Sequence, residues 1–195
     1  MSEVELPNVE EIEEIRSKKF TKRAAFTTAI FAVILAITSL GGNNATKEML
    51  LAQQQASDQW AFYQAKVIRE HLYQTQKMWM EADLLERGTT MKPESRKHYE
   101  SILKKMADEE GRFRAEKKEI EQKAKELEHD RTMNRNKLPY FEYAEVLIQV
   151  AIVMASISIL AVSRSIYYFA IIIAFLGTLL TINGYSLIFH IPFLQ

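Results

Sequence analysis

Three long apolar runs, at residues 24–40, 144–162 and 166–182, constrain this chain more than any other feature of it. Each is about the length needed to cross a ~30 Å hydrocarbon core at ~1.5 Å per residue. None holds an Asp, Glu, Lys or Arg, apart from Glu145 at the lip of the second. One such helix can hide in a soluble core. Three in a chain of 195 residues leave too little other sequence to cover them. The runs therefore predict an all-α membrane protein with three transmembrane helices.

Between the first and second runs lies a long polar stretch of helix-favouring composition. Gly41, Gly42, Asn43 and Asn44 mark the exit from the first run and predict a hinge or kink there. From residue 45 to 87 there is no Pro or Gly. Gly88 then suits a helix C-terminus and Pro93 the first turn of the next helix. Residues 94–136 are again proline-free, and Pro139 is expected to stop that helix just before the second run. Two arms of equal length, each on the order of 60 Å at ~1.5 Å per residue, predict a long extramembrane antiparallel helical hairpin. The expected division is a cytoplasmic N-terminal helix at 1–23, a transmembrane helix at 24–42, a periplasmic hairpin at 43–139 turning near 88–93, and transmembrane helices at 140–163 and 166–190.

The compartments follow from the flanking charges. Arg16, Lys18, Lys19, Lys22 and Arg23 precede the first run, and Arg164 sits in the short loop between the second and third. Three crossings put these sites on one side, which the positive-inside rule makes cytoplasmic. The hairpin and the C-terminus then face the periplasm. A cleaved signal peptide fits the first run poorly, because 23 residues, 11 of them charged, precede it and no small-x-small cleavage pattern follows. Before the run, Asn8 with Glu11 three residues on has capping-box spacing, and Glu10, Glu13 and Glu14 suit the positive end of a helix dipole.

The arms differ in kind. The second carries Tyr99, Met106, Phe113, Ile120 and Leu127 at strict sevens, alternating with Leu103, Glu110, Lys117 and Ala124. This is one seam with a charged back. The first arm has more apolar surface than one seam can use. Ala61, Ala65, Ile68, Leu72, Trp79 and Ala82 form one stripe, expected to meet the second arm, while Trp60, Tyr63 and Val67 point elsewhere. A helix with two apolar faces wants two neighbours. The second neighbour is expected to be a copy of the chain, held through Asp58, Gln59, Trp60, Tyr63 and Val67.

Site chemistry is sparse. There is no cysteine, hence no disulfide and no thiolate chemistry. His71, His98, His129 and His190 lack the spacing of metal ligands, and no phosphate loop or nucleophile motif occurs, so no enzyme, cofactor or metal is expected. A net charge of zero gives no footing for nucleic acid. Inside the runs the polar groups are Gln149, Asn183 and scattered hydroxyls, suited to helix packing together with Ala32, Ala36, Ala151 and Ala155.

The stretch ASDQWAFYQAK at residues 56–66, followed by Ile68 and by His71-Leu72-Tyr73, is more specific than the runs. Set between a first run that ends in Gly-Gly and two terminal runs, it resembles the bacterial membrane family known as domain of unknown function 4337. The resemblance spans about residues 20–190. It implies a bacterial inner-membrane protein and carries no assigned activity. The expectation is a homo-oligomeric scaffold or accessory protein in the lipid bilayer, presenting its hairpin to an envelope partner. The alternative is an oligomeric channel or pore with Thr27, Thr28, Thr38 and Ser39 along it and the hairpins forming a vestibule.

Overall fold

The computed structural model describes residues 9–191. Among them are three helices and no strand: α1 (Val9–Arg87), α2 (Pro93–Leu160) and α3 (Arg164–Ser186). Each contains a stretch long and apolar enough to cross a membrane, by length and composition. The Asn8 cap lies outside the described residues.

The helices are fewer and longer than the breaker residues predict. α1 runs unbroken through Gly41, Gly42, Asn43 and Asn44. Each helical glycine costs about 1 kcal/mol relative to alanine, so something must favour glycine here. A Cβ on Gly41 would come within 2.6 Å of Phe141 Cε1 and 2.7 Å of the Tyr185 hydroxyl. The pair is therefore a site of close approach, where the helix lets an aromatic side chain lie against its backbone. The Tyr185 hydroxyl also donates to the Ile37 carbonyl at 3.1 Å. α2 likewise continues through Pro139. The proline leaves one carbonyl without its intrahelical donor, and tertiary packing holds the helix through it: Tyr140 and Phe141, which follow, are both buried.

The chain forms two compact units: Met1–Glu48 with Met133–Gln195, and Met49–Thr132. In the first, a core of Phe31, Ile148, Ala151, Ala155, Ala170 and Ala174 joins segments of all three helices, with Ile34, Leu35 and Ile152 packed against it. Four of the six core residues are alanine, which lets backbones approach closely where apolar driving force is weak. Gly177 serves the same end, since a Cβ there would lie 2.8 Å from Ile148 Cγ1. The α2–α3 link turns through Val162, held at φ 49°. Ser163 N–H donates back to Ser158 O at 3.1 Å and Ala161 N–H to Ile157 O at 2.9 Å, closing the end of α2.

The second unit is a pair of antiparallel helical segments joined at residues 88–92. Gly88 N–H bonds Leu84 O at 2.9 Å and Met91 N–H bonds Arg87 O at 3.1 Å, so the turn is closed by its own backbone. On α2 every seam position from Tyr99 to Leu127 in the sequence of alternating fours and threes is covered, and Phe113 and Ala124 are buried. α1 answers with Ala52, Ala56, Gln59, Tyr63, Lys66, Glu70, Tyr73, Lys77, Met80 and Leu84, covered in the same alternation. Matched 3.5-residue periods keep both seams facing each other along the pair.

Candidate interaction surface

The middle of this seam is ionic. Glu70, only 5% exposed, meets the ammonium of Lys117 and, at 3.6 Å, the guanidinium of Arg114. Lys66 pairs with Glu116, and Lys77 lies 3.7 Å from Glu110, which also accepts from Gln74 at 3.1 Å. Phe113 sits among them with its ring 5.5 Å from that of Tyr73, while Lys66 Nζ stands 5.1 Å from the ring centroid. The hydrogen bond from Lys117 holds the Glu70 carboxyl below its ordinary range against the opposing effect of burial, with the charges of Lys117 and Arg114 adding to the lowering. Glu116 is lowered in the same way, chiefly by its hydrogen bond from Lys66. Burying charge gains little net stability, because desolvation offsets attraction. What these pairs supply is register, since a slip by one heptad separates every pair at once.

This seam overturns the expected assignment of the two faces of α1. Trp60 donates through Nε1 to Glu128 of α2 at 2.9 Å, and its ring packs edge-on against Tyr63 at 5.5 Å. Tyr63 in turn lies 6.0 Å from Lys117 Nζ, and Gln59, Tyr63 and Val67 are all half-buried. The face meant for a second copy is thus the one that meets α2. Asp58 alone is exposed, bonded by Gln54 within its own helix at 3.1 Å. The stripe meant for α2 is bare instead: Ala61, Ala65 and Ala82 are exposed, with Ile68 at 68%, Leu72 at 54% and Trp79 at 72%. Charge complementarity explains the exchange. Lys66 and Glu70 sit on the Trp60–Tyr63 face, opposite Glu116 and Lys117, whereas the bare stripe has no charged residue to meet them.

Among the apolar segments, the expected packing residues divide. Ala151 and Ala155 are fully buried and Asn183 nearly so; Ala32, Ala36 and Gln149 are exposed. Asn183 holds the end of α3, donating to Phe189 O at 2.8 Å and accepting from Phe189 N–H at 2.9 Å. The Thr38 and Thr181 hydroxyls meet at 2.8 Å, linking α1 to α3. Ser39 donates to Glu145 at 2.8 Å, and Gln149 reaches the same carboxylate at 3.3 Å. Thr27 meets the Tyr167 hydroxyl at 2.9 Å, and Thr28 donates to its own helix at Ala24 O. These hydroxyl contacts required tertiary structure to find, as nothing in the spacing of residues 38 and 181 pairs them.

Of the histidines, His71 and His129 are exposed and on different helices. Among the described residues no group of three His, Asp or Glu side chains is disposed to hold a metal ion. The openings in the second unit are shallow. One, of about 440 Å³, lies between the arms beside Gln59, Lys66 and Glu116. Another is bounded by residues of one face of α2 alone, from Lys118 to Asp130, and so has no opposing wall.

No curated protein and no solved structure matches the chain. A family model does, across residues 20–187. The chain accordingly belongs to the family described as domain of unknown function (DUF4337).

Proposed function

We propose that this chain is a homo-oligomeric scaffold or accessory protein of a bacterial inner membrane, presenting a periplasmic coiled-coil hairpin to an envelope partner. Its role is carried by surfaces, without a catalysed reaction. The supporting observation is the bare stripe of Ile68, Leu72 and Trp79 on α1, in a segment well outside the apolar runs. Large apolar side chains bared along one helix face in water mark an association site. A neighbouring copy offers the same stripe, and like stripes cover each other by symmetry. The basic residues Arg16, Lys18, Lys19, Lys22, Arg23 and Arg164 support the cytoplasmic placement of the N-terminus and of the α2–α3 link.

The channel alternative draws less support. Thr38 and Thr181 bond each other, Thr27 bonds Tyr167 and Ser39 bonds Glu145, all inside one chain.

The test is copy-to-copy crosslinking in native membranes, free of background because the chain has no cysteine. Leu72→Cys, on the bare stripe, is expected to form a disulfide between copies, and Tyr63→Cys, on the seam, to form none. A monomer by native mass spectrometry with no Leu72→Cys crosslink would reject the oligomer.

A further inference from the structure

At the end of α1 that precedes its apolar run, three cations fall on one helical face: Arg16, Lys19 and Arg23, at i, i+3 and i+7. The first turn of α3 brings Arg164 to the same place. The four line a cleft of about 210 Å³ together with Phe20, Tyr167 and Tyr168. An adjoining hollow shares Arg16, Phe20 and Arg164 and extends to Ser17 and Val162. No carboxylate lines either one. Among the described residues, none of the four cations has a carboxylate within ion-pair distance. Lys18 pairs with Glu14 at 2.6 Å, and neither borders the cleft. Four exposed like charges, with no carboxylate of the described side chains against them, favour an anion beside them.

The cleft is built rather than accidental. Tyr167 is fixed edge-on against Phe20 at 5.6 Å and by its hydroxyl against Thr27 at 2.9 Å, which holds the start of α3 to α1. Ser163 caps α3 without a side-chain hydrogen bond, so the first N–H groups of that helix are left for another acceptor. Just past the cations both helices turn apolar. The same faces continue as exposed Phe26 and Ile30 on α1 and as exposed Ile172 and Phe175 on α3. A cationic cleft with aromatic walls, followed along both helices by exposed apolar side chains, has the polarity of a phospholipid read from headgroup to tail. Its volume is below the ~300 Å³ at which drug-sized ligand pockets begin. It suits a headgroup, with the acyl chains left to the apolar side chains beyond it.

We infer that Arg16, Lys19, Arg23 and Arg164 form a binding site for the phosphate headgroup of an anionic phospholipid, with a two-phosphate headgroup preferred over a single phosphate. The inference rests on the membrane placement proposed above. It goes further in naming the lipid class and the residues that select it.

The experiment titrates the delipidated full chain in neutral detergent with cardiolipin, phosphatidylglycerol or phosphatidylcholine, and counts bound lipids by native mass spectrometry. Cardiolipin is expected to bind tightest and phosphatidylcholine weakest. Each basic residue at such a surface contributes about 5-fold, so Arg16→Gln with Arg164→Gln should weaken cardiolipin about 30-fold. Lys18→Gln with Lys22→Gln removes equal charge from the same segment outside the cleft and should leave binding unchanged. Equal losses in the two double variants, or equal binding of cardiolipin and phosphatidylcholine, would overturn the site. Competition by millimolar inorganic phosphate as effective as by lipid would assign the cleft to a free anion and overturn the lipid. Alkaline extraction of membranes is run alongside. A chain that is stripped from the membrane refutes the membrane placement, whereas one that stays embedded without lipid preference refutes only the site.

Discussion

At the scale of single residues, Glu70 and Val162 make opposite demands on their surroundings. Glu70 is held ionised by Lys117 and Arg114 in a covered seam. A carboxyl lowered from 4.5 contributes stability that is fully present above that value and is lost as pH falls through the lower folded one. The hairpin is therefore expected to keep its melting temperature from neutral pH to about pH 5 and to lose it below about pH 4. Glu70→Gln should be less stable at neutral pH by ~1–3 kcal/mol, since it leaves Lys117 covered without its counter-charge, and should show a shallower acid loss. Helical circular dichroism of both proteins against temperature and pH checks this; parallel acid curves would show that Glu70 is not the group concerned. Val162 is half exposed and β-branched, yet its backbone is left-handed. Left-handed backbone costs an L-residue roughly 1–2 kcal/mol, and glycine escapes most of that. Val162→Gly should raise the melting temperature, and a fall would mean that the side chain has a contact worth more than the strain.

At the scale of elements, the two faces of α1 separate two tryptophans. Trp60 lies against α2 with a hydrogen bond to Glu128, while Trp79 stands in the open on the opposite stripe. Trp60→Ala should destabilise the hairpin by ~1–3 kcal/mol, less than the ~3–5 of a fully buried ring, and leave the subunits associated. Trp79→Ala should leave the stability of the hairpin within ~0.5 kcal/mol of the parent and weaken association. Size exclusion and thermal unfolding on the same samples read both axes. An exchange of the two phenotypes would restore the Trp60 face as the contact between copies. The seven-residue seam of α2 was legible because its back is so charged that only one face is apolar. α1 was not, because two of its faces are apolar and hydropathy does not rank them.

At the scale of the whole chain, the proposed topology has its own test. A phosphatase fused within residues 88–93 should be active, and one fused at Arg164 silent, if the hairpin lies outside the cytoplasm. The reverse pattern would invert the orientation and move the basic cleft to the other leaflet. The sequence by itself determined that the described residues form helices and no strand, that three segments are apolar enough to span a bilayer, and that the chain turns back between Arg87 and Pro93. These are local matters, settled by composition and by turn residues within a few positions. Only the tertiary structure decided that Gly41 and Gly42 leave α1 whole, because the reason is the ring of Phe141 lying against them from another helix. It also decided which face of α1 pairs with α2, because the deciding charges sit on both helices. Lys66 and Glu70 select their face only where Glu116 and Lys117 oppose them. Hydrophobic burial has no direction and left both faces eligible; the charged pairs have direction, and they exist only once the two helices meet.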